Sequence, residues 1–376
     1  MADAKIIVPA GMLGAGFTAG QLDLGVPLGA IAIASDGGAT ALGPAFHGRA
    51  MAKKPAEAVA ADLRLMLRAG TAAGIPVLIG SAGTSGTDTG VEWVAGMVEA
   101  IAAEEGLSLR LARIYSEQST DVLKARLAAG RTAPLAPAPA LTEELLDRCD
   151  HIVGLLGAEP FIAALDGGAD VVVAGRATDT AVIAAAALRR GCPPGPTWHA
   201  AKVAECGGQC TSNPRGGGIL VAIDDDGFTV DPLDPGSSCS TLSVAAHMLY
   251  ENADPNTMRE PTGTLDVTDA AYAQLDDRRV RVAGSAFRSE PRTMKLEGAG
   301  LVGYQSLAIA GIREAKARIE ETRALAERAE REGDLARAAE LLDLPLLGSR
   351  AAFGAGALPV DGLLVRRFAP AEEPKG

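Results

Sequence analysis

The sequence predicts an α/β fold whose N-terminal half is a mostly parallel sheet with alternating helices. Short apolar runs recur through this half, and each run ends in glycine or a polar residue. Amphipathic helical stretches separate the runs, which is typical of parallel strands joined by right-handed crossovers. After residue 218 the pattern changes to shorter runs around turns. We therefore expect a smaller α+β part in the second half, followed by a charged C-terminal helical segment.

Six apolar runs are the predicted strands of the N-terminal half. They lie at residues 6–9, 30–35, 75–79, 109–115, 151–156 and 171–174. Runs that are apolar throughout indicate strands buried on both faces. We expect the strands that end at Ser35, Ile79, Tyr115, Leu156 and Ala174 to be parallel neighbours in one sheet. Their carboxyl ends would bring the polar residues that follow them to one edge.

The second half of the chain is predicted to mix hairpins and helices. Residues 219–233 indicate a hairpin around Asp225, Asp226 and Gly227. A helix is expected at 237–250, and further strands at 265–268, 280–287 and 293–296. Alternating Glu, Arg and Ala from 308 to 342 predict a long solvent-facing helix or a helical hairpin near Gly333.

Length and composition suit a large core divided among more than one part. The chain has 376 residues, of which 48% are hydrophobic. We predict an α/β domain at 1–215 and an α+β domain at 216–310 that completes the site. A charged helical segment and tail would follow at 311–376.

The charge balance excludes several classes of partner. Asp and Glu number 47 against 35 Lys and Arg, which gives a net charge of -12, and no basic run is present. A nucleic-acid partner is therefore not expected. Apolar runs are broken well short of the ~20 residues that a membrane span needs, and no signal peptide is recognisable. We expect a cytoplasmic protein that forms a homo-oligomer and makes no membrane contact.

The stretch GRATDT, residues 175–180, is central to the functional prediction. Arg176 and Asp179 lie where a strand delivers the chain into a helix N-terminus, which Thr178 or Asp179 could cap. Ligands collect at this position in open α/β sheets. We predict that Arg176 and Thr178 bind substrate, and that Asp179 orients Arg176 or acts as a general base. The alternative is a structural Arg–Asp pair that closes the turn.

Two glycine-rich loops also follow predicted strands. The loop at 11–17 resembles a dinucleotide loop, but its spacing is not GxGxxG, so a tight turn explains it equally well. The loop at 80–90 contributes Ser81, Thr84 and Ser85 as predicted substrate-binding residues, because its hydroxyls and N–H groups suit an anion. A long connection without function is the alternative for this loop.

Carboxylates at strand ends complete the predicted edge. Asp36 and Glu159 are taken as substrate-binding residues. Asp36 or Asp88, together with Glu159, could bind a hard divalent ion, although no paired spacing demands one. We therefore predict no cofactor and name no metal ligand, and we leave a divalent metal open.

The segment ECGGQC, residues 205–210, lies at a predicted helix end. Glu205 is a catalytic candidate if burial raises its pKa, and a surface residue otherwise. Gln209 is a predicted substrate-binding residue. Cys206 is disfavoured as a nucleophile because no histidine can be assigned near it. Cys206 and Cys210 are expected to stay reduced and free of metal, since companion ligands at zinc spacing are missing.

Several motifs together resemble the acyclic terpene utilisation (AtuA-like) family. They are GRATDT, ECGGQCT, SVAAHMLYENADP, DRRVRVAGSAF and KLEGAGLVGYQ, and the resemblance covers roughly residues 14–311. It implies a bacterial catabolic protein that handles branched or unsaturated carboxylic acids or their thioesters. It also raises His247 and Tyr250 as catalytic candidates, because HxLYE is among its most specific motifs. Lys295, Glu297 and Tyr304 could supply a proton donor or an oxyanion partner.

Two functions from different classes remain open on the sequence. The first is an enzyme that acts on a small carboxylic acid or a CoA thioester by lyase, hydratase or hydrolase chemistry. The second is a non-catalytic subunit or binding protein that supports a partner enzyme of the same pathway. A dehydrogenase ranks third, because the dinucleotide fingerprint fails.

Overall fold

The computed structural model describes residues 3–135, 137–138, 140–214, 217–300, 305–309, 324–325, 327–328, 331–332 and 363–367. Ten α-helices are described in these ranges: α1 Ala19–Gly25, α2 Pro44–Gly48, α3 Ala56–Ala73, α4 Asp88–Glu105, α5 Thr120–Ala128, α6 Glu143–Asp147, α7 Glu159–Asp166, α8 Asp179–Arg189, α9 Pro194–Ala204 and α10 Thr241–Ala246. Short 3-10 helices lie at Val26–Leu28, Thr40–Leu42, Gly207–Cys210 and His247–Leu249.

Sixteen strands are described in the same ranges. They are β1 Ala4–Val8, β2 Ala32–Asp36, β3 Val77–Gly80, β4 Leu111–Ile114, β5 His151–Gly154, β6 Val171–Ala174, β7 Ile219–Ile223, β8 Gly227–Pro232, β9 Thr257–Glu260, β10 Gly263–Asp266, β11 Ala271–Gln274, β12 Val280–Ala283, β13 Ala286–Ser289, β14 Leu296–Ala299, β15 Gln305–Ile309 and β16 Leu363–Arg367.

A nine-stranded sheet organises the first 300 residues. Its strand order is β11-β12-β8-β7-β1-β2-β3-β6-β4. The pairs from β1 to β4 are parallel, and the pairs from β1 to β11 are antiparallel. The predicted α/β class, with a mostly parallel N-terminal sheet and alternating helices, is confirmed.

Helices cover both faces of this sheet because its strands are apolar on both sides. On one face Leu63 and Met66 of α3 pack with Val91 and Val94 of α4 over the sheet. On the other face α7, α8 and α9 form a second cluster, in which the alanines of α8 let the helix lie close to β1 and β2. The result is a three-layer core that fixes the carboxyl ends of the parallel strands at one edge.

The strand that ends near Leu156 is not part of the large sheet, so that prediction is wrong. β4 lies beside β6, and β5 pairs antiparallel with β14 instead. β5 crosses beyond the carboxyl ends of β4 and β6, where the Gly154 N–H donates to the Ser116 carbonyl (2.8 Å) and the Leu156 N–H to the Arg176 carbonyl (2.9 Å). Ile152 of β5 packs with Leu123 of α5 and Leu146 of α6 in a small separate cluster rather than inside the sheet, and an apolar run alone does not distinguish the two.

The second half of the chain mixes helix and antiparallel strands, as predicted. β7 and β8 form the expected hairpin, and β7 continues the large sheet by pairing with β1. The single strand expected at 280–287 is wrong, because Gly284 (φ +86°) breaks it into β12 and β13. β12 belongs to the large sheet and β13 to a three-stranded sheet with β10 and β9. The helix expected at 237–250 is shorter, since Ser240 caps α10 with a capping box.

The chain divides into two compact units, Met1–Gly300 and Leu301–Gly376. In the second unit, β15 and β16 pair antiparallel. Most of the charged helix predicted at 308–342, together with Tyr304, lies outside the described residues. The predicted division of the first 300 residues at 215 and 216 stays a prediction. Among the described helices, none is long and apolar enough to cross a membrane.

Candidate functional site

The carboxyl ends of the parallel strands gather polar side chains at one edge of the sheet. β2 ends at Asp36, Ser81 follows β3, Ser116 follows β4 and Arg176 follows β6. The Ser116 hydroxyl accepts from the Arg176 backbone N–H (2.7 Å) and donates to the Gly86 carbonyl (2.9 Å). All four side chains are buried. The edge predicted from the order of the strands therefore forms a connected network.

The Arg176 guanidinium is the centre of this network. Its Nε donates to Glu297 Oε2 (3.0 Å), and its Nη1 donates to Ser81 Oγ (3.0 Å), Asp179 Oδ1 (3.1 Å) and the Ala177 carbonyl (2.8 Å). Only 8% of its side chain is exposed. This geometry is compatible with both predictions for Arg176. Its place at a strand end suits substrate binding, and its ion pairs with Asp179 and Glu297 suit a structural role.

The loop from Gly80 to Gly90 is folded against the Arg176 turn. A β-carbon at Gly86, which has φ +68°, would lie 2.0 Å from the Arg176 backbone nitrogen, so only glycine fits there. Ser81 and Thr84 adopt left-handed φ angles of 43° and 82°, a conformation that costs free energy outside glycine. The Ser81 N–H donates to the Gly175 carbonyl (2.9 Å). This loop therefore packs on the site rather than serving as a free connection.

Electrostatic effects differ among the carboxylates around Arg176. Burial raises the pKa of Asp36 well above its ordinary value, and Asp179 adds to this rise. Burial also raises the pKa of Asp179, which Arg176 opposes. At Glu297 the Arg176 charge and three hydrogen bonds outweigh burial and lower the pKa to about 2. The guanidinium stays protonated, because Asp179 and Glu297 raise its pKa despite burial.

A second group of buried charges lies at the end of α9. Lys202 Nζ donates to Glu205 Oε1 and to the Tyr250 carbonyl (2.9 Å), and Lys202 and Glu205 are both buried. Burial, together with the Asp179 charge, raises the pKa of Glu205 to about 8 although Lys202 opposes the rise. Glu205 is therefore not the surface residue that was its alternative, and burial raises its pKa, which is the condition stated for a catalytic role.

Glu260 forms a third buried carboxyl next to the same turn. Thr180 Oγ1 donates to its Oε1 (2.5 Å) and Thr178 Oγ1 to its Oε2 (3.1 Å). Burial raises the pKa of Glu260 to about 7, because the two hydroxyls only partly replace water. Thr178 has a second role, since it also accepts from the Ala181 N–H and caps α8.

His247 lies next to Cys206, so the expectation that no histidine neighbours this thiol is wrong. One donor atom from each of Glu205, Cys206 and His247 lies within 4.8 Å of the other two. The Tyr250 ring stacks on His247 with 5.7 Å between ring centroids. Burial, helped by Lys202, lowers the pKa of His247 to about 4, and burial raises the pKa of the Cys206 thiol. Sequence separation of about forty residues hid this contact, because α10 returns to the end of α9.

The remaining predicted substrate-binding residues make no hydrogen bond to Arg176, Glu205 or Glu260 in the part of the chain that the structure describes. Thr84 Oγ1 accepts from the Lys53 N–H (2.8 Å), and the buried Ser85 Oγ has no hydrogen-bond partner in the described structure. Glu159 begins α7, where its Oε2 is buried and, among the described residues, unpartnered. Gln209 is exposed. No group of three metal donors that includes Asp36, Asp88 or Glu159 occurs in the part of the chain described.

The surface also has two pockets away from the buried carboxyls. One is lined by Ile31, Pro76, Leu165, Ala186, Arg189 and Arg190, at the amino end of the parallel strands. A much smaller one lies beside the 80–90 loop, between Gly37 and Trp93. Neither contains the buried carboxyls. The candidate site is the edge formed by the carboxyl ends of the parallel strands. The ionisable groups converge there, and 27% of the Asp179 side chain is exposed.

Two residues of this site were not singled out from the sequence. Lys202 lies in an alanine-rich helix three residues before Glu205, and that spacing could have indicated the ion pair. Glu260 ends β9, and its contacts with Thr178 and Thr180 span 82 and 80 residues. No local pattern predicts such a contact. The motif KLEGAGLVGYQ did indicate Glu297, although not its partner.

Comparison with known proteins identifies the family. Searches of curated proteins and of solved structures find no match. The family model described as "Acyclic terpene utilisation family protein AtuA" matches residues 44–352, which include the strand-end turn, the Lys202–Glu205 pair and His247. This agrees with the resemblance of the motifs. The chain therefore belongs to the acyclic terpene utilisation family AtuA.

Proposed function

We propose that the protein is a catabolic enzyme that acts on a small carboxylic acid or its CoA thioester, with Asp179 as the proton-transferring group. The observation that carries this proposal is the position of Asp179. Its carboxylate is held by Arg176 Nη1 (3.1 Å), yet 27% of the side chain remains exposed. A fixed carboxylate that still reaches solvent can meet a substrate.

The surroundings of Asp179 suit acid–base chemistry. Burial raises its pKa, which moves the carboxyl closer to neutral pH and makes proton exchange easier. Its position at the first residue of α8 and the Arg176 charge hold it in one orientation. These features support removal of a proton next to a substrate carbonyl, or activation of water, which are steps of lyase, hydratase and hydrolase reactions.

The same arrangement limits how Arg176 could bind a substrate anion. Its Nε and Nη1 already donate to Glu297, Asp179, Ser81 and the Ala177 carbonyl. In the described structure no hydrogen bond involves Nη2. A substrate oxygen would therefore receive a single hydrogen bond from Nη2, unless it displaced one of the carboxylates.

The alternative is a binding protein or non-catalytic subunit that serves a partner enzyme of the same pathway. The observation that favours it is that the Arg176 charge is compensated internally by Glu297 and Asp179. In this case the GRATDT turn would be scaffolding, and ligands would bind without being changed.

The first stage of the test is a thermal-shift screen with free short-chain acids and CoA thioesters, since a ligand of the folded state raises the melting temperature. Each ligand found is then incubated with the protein in D2O. We expect deuterium at the carbon next to the carbonyl, or a hydrated or hydrolysed product. Arg176→Lys should weaken ligand binding by about tenfold.

The second stage separates the two functions by substitution. Asp179→Asn should lower the exchange or turnover rate by about a hundredfold or more while the ligand still raises the melting temperature. Asp166→Asn is the control, because Asp166 is exposed and pairs with Arg189 at the surface. Binding without exchange or product in the wild type would favour the binding protein. Unchanged turnover in Asp179→Asn would exclude Asp179 as the base.

A further inference from the structure

We propose that Glu205, Cys206 and His247 form a binding site for a divalent transition-metal ion of the Zn²⁺ type, which replaces the metal-free Cys206 expected from the sequence. The inference does not depend on the proposed function, because metal binding can be measured without a substrate. It begins from geometry: within the described residues, these three form the group whose donor atoms lie within 4.8 Å of one another. Ligand atoms around zinc lie about 3.3–3.8 Å apart at ordinary bond lengths, so small side-chain movements close the site.

The backbone on the cysteine side is held firmly. Glu205 and Cys206 follow the last turn of α9, and the glycine loop after β1 packs against them. A β-carbon at Gly11 would lie 2.7 Å from the Cys206 carbonyl carbon, and one at Gly207 would lie 2.6 Å from the Gly11 nitrogen. The glycine-rich loop thus supports the Cys206 turn by close backbone approach.

The histidine side is also fixed. His247 directly follows α10, whose start is held by the Ser240 and Ser243 capping box. Ser243 Oγ donates to the Cys210 carbonyl (2.7 Å), which ties α10 to the segment that carries Cys206. The donors therefore come from two segments joined by hydrogen bonds, which is the support that a metal site needs.

A second, independent observation points to a ligand. His247 is only 4% exposed, and its Nε2 is buried without a hydrogen-bond partner in the described part of the chain. A buried polar nitrogen left unpaired costs free energy, and ligation of a metal ion by Nε2 would remove this cost.

The donor set indicates the class of metal. A thiolate, an imidazole and a carboxylate suit Zn²⁺, Co²⁺ or a similar ion, and they do not suit Mg²⁺ or Ca²⁺, which prefer oxygen alone. The two anionic ligands would neutralise the charge of the dication. Three protein ligands leave one tetrahedral position open to water or substrate, as in catalytic rather than structural zinc sites. Binding must release the Cys206 thiol proton.

Lys202 is the group that opposes a metal here. Its ammonium donates to Glu205 Oε1, which leaves Oε2 as the oxygen available to an ion. The positive charge also lowers the affinity of the site for a cation. Replacing Lys202 with methionine, which keeps the aliphatic length, should therefore tighten metal binding. A structural explanation of the cluster does not predict this increase.

The test is titration of the chelator-treated protein with Co²⁺, which reports a thiolate ligand through a charge-transfer band in the near ultraviolet. We expect one equivalent to bind with this band. Cys206→Ser should abolish the band, and Glu205→Gln and His247→Ala should each weaken binding by at least about tenfold. Lys202→Met should tighten binding severalfold. Cys149→Ser is the matched control, because Cys149 is a free, partly exposed thiol outside the cluster.

A measurement on the wild-type chain guards against variants that fail to fold. Zn²⁺ should slow alkylation of Cys206, followed by peptide mass spectrometry, and should leave the rate at Cys149 unchanged. The proposal is overturned if the wild type binds no Co²⁺ or Zn²⁺ stoichiometrically. It is also overturned if the charge-transfer band survives Cys206→Ser, or if Zn²⁺ protects both cysteines equally.

Discussion

Glu297 and Glu260 both contact the turn from Arg176 to Thr180, and their partners differ. Glu260 is buried, and Glu297 keeps 13% of its side chain exposed. Glu297 accepts from the Arg176 and Lys295 cations and from Thr40, and its pKa is lowered to about 2. Glu260 accepts from the hydroxyls of Thr178 and Thr180, and burial raises its pKa to about 7. The difference teaches that burial favours the neutral carboxyl unless the neighbouring cation outweighs it, as Arg176 does at Glu297 and Lys202 does not at Glu205.

The same contrast divides the site into two regions. Around Arg176 the guanidinium outweighs burial at Glu297 but not at Asp36 or Asp179, whose pKa values burial raises. Around Glu205 and Glu260 burial dominates, and both carboxyls can gain or lose a proton near neutral pH. Asp179 connects the two, because it bonds Arg176 and raises the pKa of Glu205 and of Glu260.

The largest expected effect comes from removing the shared cation. Arg176→Ala removes the cation that Glu297 and Asp179 share and leaves Glu297 paired with Lys295, so the free energy of unfolding should fall by about 3 kcal/mol. Urea denaturation measures it. The control is Arg189→Ala, whose exposed pair with Asp166 should contribute less than about 1 kcal/mol. Equal small losses in both variants would mean that the Arg176 network is not an internal ion-pair cluster.

The next effect is a stability loss that Glu260 imposes as pH rises. The folded pKa of about 7 is above the ordinary 4.5, so the folded state holds the proton more tightly. Glu260 therefore contributes its whole stabilisation below pH 4.5 and loses it as the pH rises to about 7. The free energy of unfolding falls by about 3 kcal/mol over this range. In Glu260→Gln this loss should disappear. Parallel stability curves for the two proteins between pH 4.5 and 7 would contradict the assignment.

Glu297 should make the free energy of unfolding depend on pH in the opposite direction. Its folded pKa of about 2 is below 4.5, so its stabilisation is present above pH 4.5 and is lost as pH falls through about 2. Between pH 5 and pH 3 the wild type should lose about 2 kcal/mol relative to Glu297→Gln. Urea denaturation at these two pH values gives the difference. If the wild type instead becomes more stable relative to Glu297→Gln as the pH falls, as expected for Glu260, the two glutamates do not differ in their ionisation.

The smallest expected effect tests the hydroxyl partners of Glu260. Thr180→Val removes the donor to Oε1 and keeps the side-chain shape, so unfolding free energy at pH 7 should fall by about 1 kcal/mol. The pKa of Glu260 should also rise further, because a bond to its charged form is lost. Thr71→Val on the exposed face of α3 is the control. If Thr180→Val and Thr71→Val change the free energy of unfolding equally, the hydrogen bond from Thr180 to Glu260 does not stabilise the fold.

Part of the site could be predicted from the sequence because it depends on strand order. Strand ends of a parallel sheet meet at one edge, and this brought Asp36, Ser81 and Arg176 together as expected. The prediction for Leu156 failed for a related reason. An apolar run signals burial but not the partner that buries it, and β5 pairs with β14 instead of joining the large sheet.

The rest of the site depends on contacts that no local pattern encodes. Glu260 reaches Thr180 because the antiparallel second half folds back over the start of α8. His247 meets Cys206 because α10 packs on the segment that follows α9. The pKa of each buried carboxyl also depends on the side chains that contact it, and the sequence does not predict those contacts.

The most direct test of the central claim is a carboxyl ¹³C NMR titration of the protein with labelled glutamate, assigned by single Glu→Gln variants. We expect Glu260 to titrate near pH 7 and Glu205 near pH 8, while Glu297 stays ionised until the pH approaches 2. If Glu260 and Glu297 instead titrate together near 4.5, the ordinary value for glutamate, neither burial nor the Arg176 cation distinguishes the two carboxyls.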